Sequence, residues 1–273
     1  MLTYETGVSA ERKVWLKNRR IKRIAISAAR LFILVGFLTL WELLAQYAVI
    51  DPFIMSCPSR ITKTIVNLWN QGELFYHIWI TTSEAVCGFV FGCIFGTVIA
   101  ACLWCSDFVC AVLEPYLVIL NALPKIALGP VFIVWIGAGP KSIVAIALSI
   151  TVVVTTLEVL GGFLSTDKDK ILLAKTFGAG KLQILIRVVF PANLGVITGS
   201  LKISVGMSWV GVIVGEFLIS KAGLGYLIVY GSQVFQLDLV MASVVILALV
   251  AMTMYLCIQY TERLLSKRTG SDL

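Results

Sequence analysis

Charge is scarce in this chain and histidine scarcer: 14% of the 273 residues are Asp, Glu, Lys or Arg, and His77 is the single histidine. One imidazole cannot build a histidine metal cluster, and no HExxH or nucleophile–base pair is present, which excludes zinc-hydrolase and triad chemistry. The 7 cysteines do not describe a disulfide framework, because Cys87, Cys93, Cys102 and Cys257 fall inside apolar runs where the thiol acts as a small apolar side chain. Cys102 and Cys105 form a CxxC with no second CxxC to complete a metal site. The stretch TFGAGK, Thr176 to Lys181, lacks the first glycine of a phosphate loop and has Leu182 where Ser or Thr is required. No cofactor, metal or catalytic residue is therefore expected in this chain, and no ATP hydrolysis by the chain alone.

What the sequence has instead is long apolar runs, with 59% apolar residues and a mean hydropathy of +0.96. A bilayer core of about 30 Å needs roughly 20 apolar helical residues per crossing. Six such runs are present, at Ile24–Ile50, Thr82–Trp104, Val109–Ile136, Ile143–Leu164, Leu194–Ile219 and Leu239–Tyr260. They are long and unbroken rather than alternating with a period of two, so the predicted fold is an all-α membrane protein, not a β-barrel. The first run is too long for a signal-peptide core and has no small-residue cleavage site, so it is expected to be retained.

Lys and Arg in short loops stay on the cytoplasmic side. Arg12, Lys13, Lys17, Arg19, Arg20, Lys22 and Arg23 precede the first run, Lys168, Lys170, Lys175, Lys181 and Arg187 lie between the fourth and fifth, and Arg263, Lys267 and Arg268 close the chain. Arg60, Lys63, Lys141 and Lys221 are left for the other side. Six spans with both termini cytoplasmic satisfy this asymmetry, and the net charge of +7 reads as a topology signal rather than a nucleic-acid surface. The resulting organisation is a basic segment 1–23, a first span 24–50, an outer loop 51–81 with a short amphipathic helix, a five-span core 82–260 holding a cytoplasmic loop 165–193, and a tail 261–273.

Gly88, Gly92 and Gly96 recur every four residues on one helical face, and Gly211 and Gly215 repeat the spacing. Such small ridges let helices approach closely, and general bundle packing is the expected use. Glu42, Glu84, Lys125, Glu158, Lys202 and Glu216 are ionisable residues within apolar runs, where each must face a cavity or a partner or reach the interface. Glu84 and Lys202 are expected to snorkel and His77 to lie at the outer interface. Lys125, between Pro124 and Pro130, together with Glu158, Trp209 and Glu216, is the candidate lining of a solute pathway.

The loop after the fourth run is unusual. Asp167 and Asp169 precede a short run, Lys170 to Phe177, that suits about two helical turns with acids at the positive end and Lys175 near the negative end. Gly178 supplies the stop. Leu172, Leu173 and Phe177 give this helix an apolar stripe, fit for a partner's groove or for lying on headgroups.

This loop, LLAKTFGAGKLQILIRVVFPANLG from Leu172 to Gly195, resembles the cytoplasmic loop of permease subunits of ATP-binding-cassette importers. Ala174, Gly178, Val188, Phe190 and Pro191 stand at the family's spacing, with Leu172 and Leu173 where the family often has Glu and Ala. The segments LWELLAQ, LPKIALGPVFIVWIGAGPKS and VGVIVGEFLISKAGLGYLI resemble the sulfonate, taurine, nitrate and pyrimidine-precursor importers of that family, while IMSCPSRI has Ser56 where those carry a proline. The resemblance implies a type I importer fold in the bacterial inner membrane. It implies coupling through Leu172, Leu173, Ala174, Phe177, Gly178, Ala179 and Pro191 to two ATPase subunits that bind ATP-Mg. A second permease copy, an extracytoplasmic solute-binding protein and the surrounding membrane lipid are the other implied partners, and the cargo is a small anion or a vitamin precursor. The competing expectation is an ion-coupled secondary transporter in which Glu158 and Glu216 hold the ion, although the two halves of the chain show no inverted repeat.

Overall fold

The computed structural model describes residues Ala10–Thr269 as thirteen α-helices with one 3₁₀ turn and one π turn, and holds no strand among them. The side chains of Arg12, Lys13, Lys17, Arg23, Lys125, Arg263, Lys267 and Arg268 lie outside the described residues, as do the first nine residues of the basic segment 1–23 and the end of the tail 261–273. The chain divides into two units, residues 1–63 and 64–273.

In the first unit, α1 (Ala10–Gln46) carries the first apolar run and is followed by the single turn α2 (Pro52–Met55) and the start of α3 (Pro58–Asn70). Glu42, near the end of α1, is not a bare charge. Its carboxylate accepts the Ser59 N–H at 3.0 Å and the Ser59 hydroxyl at 2.6 Å, capping the first turn of α3.

The second unit is the bundle: α4 (Glu73–Trp104), α5 (Asp107–Ala122), α6 (Gly129–Ile136), α7 (Pro140–Leu164), α8 (Lys168–Thr176), α9 (Lys181–Ile184), α10 (Phe190–Ala192), α11 (Leu194–Ile219), α12 (Leu224–Gln233) and α13 (Leu237–Thr269). Among the described residues five helices are long and apolar enough to cross a membrane, and a sixth crossing exists if α5 and α6 count as one broken span. The third predicted run is thus not a straight helix, because α5 and the segment Ile126–Ile136 meet at 90°. Pro124 is the cause. A residue before proline is pushed out of the helical region, and Leu123 is extended at φ −64°, ψ 139°. Pro130 sits in the first turn of α6, where a missing N–H costs nothing.

Between helices in lipid there is little hydrophobic drive, so close packing has to supply the cohesion. The glycine ridges do this inside the chain. A Cβ on Gly88, Gly92 or Gly96 of α4 would strike Ala147, Thr151 or Thr155 of α7 at 2.5–2.7 Å, and one on Gly211 or Gly215 of α11 would strike Ala147 or Ile143. α7 is therefore gripped from both sides, and its side chains Ile143, Ile146, Ala147, Thr151, Val159 and Phe163 are buried. Polar contacts stitch the same seam: Thr155 and Ser204 hydroxyls lie 2.8 Å apart, Ser208 donates to the Ala85 carbonyl, and Thr156 donates to that of Gly96. Lys202 pairs with Glu262 of α13 at 2.5 Å, with both side chains about three-quarters buried, so the ammonium is met by a partner and not left bare.

Candidate functional site

Two constructions stand out, one at each end of the bundle. At the end set as cytoplasmic by the charge bias, α8 begins at Asp167, whose carboxylate accepts the Asp169 N–H at 2.9 Å. It closes with two bonds that define a left-handed stop: the Ala179 N–H reaches the Ala174 carbonyl at 3.1 Å, and the Gly178 N–H reaches that of Lys175 at 2.9 Å. Gly178 has φ +79°, which a side chain resists, and open space around the missing Cβ. The glycine is needed for the backbone, not for room.

This stop turns the sequence-predicted coupling residues two ways. Leu172, Leu173 and Phe177 point outward and are 60%, 59% and 82% exposed. Ala174 and Ala179 point inward with Ile171, and pack against a core of Leu160, Phe163, Ile184, Leu185 and Val189. The helix thus has a footing on its own chain as well as a free face, where the sequence suggested only the free face. Pro191 lies in α10, just past a π turn at Leu185–Val189 in which the Phe190 N–H bonds back to the Leu185 carbonyl. Pro191 has no N–H and its ring crowds the carbonyl four residues back, so the helix widens ahead of it. Asn193 secures the turn, donating from its amide to the Val189 carbonyl at 2.8 Å and to the Thr166 hydroxyl at 2.7 Å. Lys181 ties the loop to the α4–α5 corner through the Asp107 carboxylate at 3.2 Å and the Cys105 carbonyl at 3.3 Å. That pair is exposed, so its contribution is one of direction more than strength.

At the outer end, the N-terminus of α12 offers four N–H groups and has no capping side chain of its own. Every one finds an acceptor on another helix or on α11. Gly223 donates to His77 Nδ1 at 2.9 Å and Leu224 to Thr81 Oγ1 at 2.7 Å, while Gly225 and Tyr226 donate to Glu216 Oε2 at 2.6 and 3.3 Å. Glu216 is 1% exposed and meets a helix N-terminus, the arrangement in which a buried carboxylate is best compensated. The glycines are obligatory here, since a Cβ on Gly223 or Gly225 would lie within 2.7 Å of the Glu216 carboxyl group. Glu84 is buried beside the Glu216 carboxyl, and one oxygen of each acid has no hydrogen-bond partner among the described residues.

Glu84 is thus not the snorkelling residue the sequence suggested, and His77, at the outer end where the sequence put it, is buried against α12. They belong to this buried cluster, because an N–H left unpaired in an apolar medium costs more than bringing in a polar side chain. Thr81 was not singled out in the sequence. The available signal was the stretch Gly223–Leu224–Gly225, a helix start without Ser, Thr, Asp or Asn, which requires a cap from elsewhere.

The remaining candidates separate. Trp209 is buried among Ala85, Ile143, Ala147, Val205 and Val212, with its indole N–H unpartnered among the described residues. Glu158 is exposed on α7, the helix that is otherwise most enclosed. Lys125 opens the 3₁₀ turn at the α5–α6 bend, and only its backbone is described. No group of three or more His, Cys, Asp or Glu side chains able to hold a metal ion occurs among the described residues.

Residues 88–271 match the family described as binding-protein-dependent transport system inner membrane component. A probable ABC transporter permease protein of Haemophilus influenzae is 31% identical over 230 residues, covering 84% of this chain and 93% of that protein. A putative aliphatic sulfonates transport permease protein of Bacillus subtilis is 28% identical over 86% of this chain and 85% of its own length, and the taurine transport system permease protein of Escherichia coli is 22% identical over 93% and 96%. Among solved structures, a bacterial ABC transporter involved in import of the acidic polysaccharide alginate superposes with a TM-score of 0.61 at 16% identity, covering 92% of this chain and 98% of that one. An inward-facing MetNI methionine ABC transporter gives 0.61 at 16% identity over 73% and 97%.

Proposed function

Because the chain belongs to the family of binding-protein-dependent transport system inner membrane components, we propose that α8 is the surface through which a separate ATPase drives it. The chain itself is the multi-pass permease subunit of an ABC importer for small solutes, a transport component of the bacterial inner membrane rather than an enzyme. The family match sets aside the ion-coupled secondary transporter.

The observation that carries the coupling reading is the out-turned Leu172, Leu173 and Phe177 on a helix footed on its own core. A free apolar face on a short helix suits a groove in a partner, and a footed helix passes a push on to whatever it rests on. Ile171 and Ala174 pack against a core that joins Leu160 and Phe163 of α7 to Ile184, Leu185 and Val189, so movement of α8 is passed to that core and through it to the helix gripped by α4 and α11. Two ATPase subunits that bind ATP-Mg, a second permease copy and an extracytoplasmic binding protein complete the transporter in this reading. The pathway is assigned to the face of α7 carrying Glu158 and to the broken third span at Lys125, since an ionised group in a span faces water or protein and not lipid. Trp209 and Glu216 frame that pathway from within the bundle. In this reading the cargo is a sulfonate-like anion or a heterocyclic vitamin precursor, supported by relatives whose names include aliphatic sulfonates, taurine and formylaminopyrimidine.

The test is a Leu172→Asp, Phe177→Asp double variant. Both side chains are exposed, so the variant should insert and unfold like the parent chain while losing co-purification with the ATPase. Undiminished co-purification, with normal uptake, would remove α8 as the docking surface.

A further inference from the structure

A cavity of about 430 Å³ opens at the cytoplasmic end of the bundle between α5, the end of α7, α8 and α9. Its depth is apolar, formed by the buried Phe163 and Ile184. Its mouth is not. Lys168 and Lys175, seven residues apart and so on one face of α8, line it together with Glu114 of α5 and the Lys181–Asp107 pair. With that pair neutralised internally, two lysines oppose one carboxylate, and the mouth carries net positive charge.

Its level in the membrane narrows what can enter. Trp104 and Leu164, the last residues of α4 and α7, both line the cavity, which puts its mouth where two crossings end and headgroups begin. A tryptophan at that level is the usual interfacial anchor. Phe108 and Val112, each next in sequence to a lining residue of α5, are 79% and 45% exposed and offer apolar surface on that helix. A water-soluble acidic segment would satisfy the lysines and leave that surface uncovered.

We propose that this cavity binds the headgroup of an inner-leaflet anionic phospholipid, with its phosphate held by Lys168 and Lys175 and its acyl chains lying along Phe108 and Val112. Lys168, Ile171 and Lys175 line the cavity while the exposed Leu172, Leu173 and Phe177 do not, so the lipid backs the helix proposed to meet the ATPase and leaves those three side chains free. Bound lipid would then hold α8 to α5 and α7 and stiffen the transmission between them.

The experiment compares the purified chain in phosphatidylcholine nanodiscs with and without phosphatidylglycerol, reading retained lipid by native mass spectrometry and the thermal unfolding midpoint by tryptophan fluorescence. The parent chain should retain phosphatidylglycerol selectively and unfold at a higher temperature with it. A Lys168→Gln, Lys175→Gln variant should lose about thirtyfold in apparent affinity, from roughly 1 kcal/mol for each lysine near the membrane surface. Glu114→Gln, which removes the opposing charge, should retain more phosphatidylglycerol than the parent chain. The proposal is overturned if the lysine variant and the parent retain the lipid equally, if Glu114→Gln retains less, or if soluble glycerol phosphate raises the midpoint as much as the lipid does. It shares with the coupling reading only the placement of α8 on the cytoplasmic side. ATPase co-purification in pure phosphatidylcholine reports on coupling alone, so the two can fail separately.

Discussion

Ala147 stands between two glycines on different helices, and the two contacts differ in kind. A Cβ on Gly88 would lie 2.7 Å from the Ala147 Cβ, a methyl that can be removed. A Cβ on Gly211 would lie 2.5 Å from the Ala147 Cα and 3.1 Å from its nitrogen, which are backbone. Carbon atoms prefer roughly 3.5–4.0 Å, so either alanine forces its helix about 1 Å away from α7, at an overpacking cost of about 1–3 kcal/mol. Removing the Ala147 methyl should then separate the two cases. Gly88→Ala combined with Ala147→Gly should show a favourable coupling of about 1 kcal/mol or more, while Gly211→Ala should stay destabilising by about 1–3 kcal/mol in either background. Equilibrium unfolding of the purified chain in mixed micelles measures all the corners, and the single Ala147→Gly variant absorbs the helix-propensity cost of the new glycine, about 1 kcal/mol. A neutral Gly211→Ala, or equal rescue of both alanines, would refute the view that α7 is held by backbone contact on the α11 side.

Gly178→Val meets no neighbour but must adopt φ +79°, a strain of about 1–2 kcal/mol in a single turn. The bundle should insert normally, and ATPase association or the coupling of hydrolysis to uptake should fall; normal values of both would show that the stop is dispensable. Glu216→Ala leaves the Gly225 and Tyr226 N–H groups unpaired, at about 1–3 kcal/mol each. Hydrogen exchange in residues 223–230 should therefore accelerate well beyond that of α7, and unchanged protection there would show that Glu216 is not the cap.

The crossings were legible because apolar length is a local property. The ends found for α7, Pro140–Leu164, and α11, Leu194–Ile219, lie within a few residues of the runs read from the sequence. The stop at Gly178 was legible for the same reason, since acids, a short apolar run and a glycine follow one another in the chain. What escaped depends on partners far apart in sequence. His77 and Gly223 are separated by 146 positions and Thr81 and Leu224 by 143, so neither pairing leaves a periodic trace. The partner of Lys202 was not legible either, because Glu262 lies on a different helix, beyond the last apolar run. The bend in the third span was half legible: Pro124 announces a break, but a break in the sequence does not give the angle of 90°. The inward set of Ala174 and Ala179 could not be read, because it depends on a core assembled from α7 and from the turns after α9.

The outer cap also imposes an order of assembly. α4 supplies His77 and Thr81 near the start of the bundle, α11 supplies Glu216 much later, and the donors follow within ten residues of Glu216. Until α4 and α11 lie side by side, the start of α12 has no acceptors beyond the carboxylate just upstream, and no reason to leave water. Correct pairing of an early crossing with a late one is thereby checked at a third place, and a chain in which α11 has docked in the wrong rotation presents an open outer end.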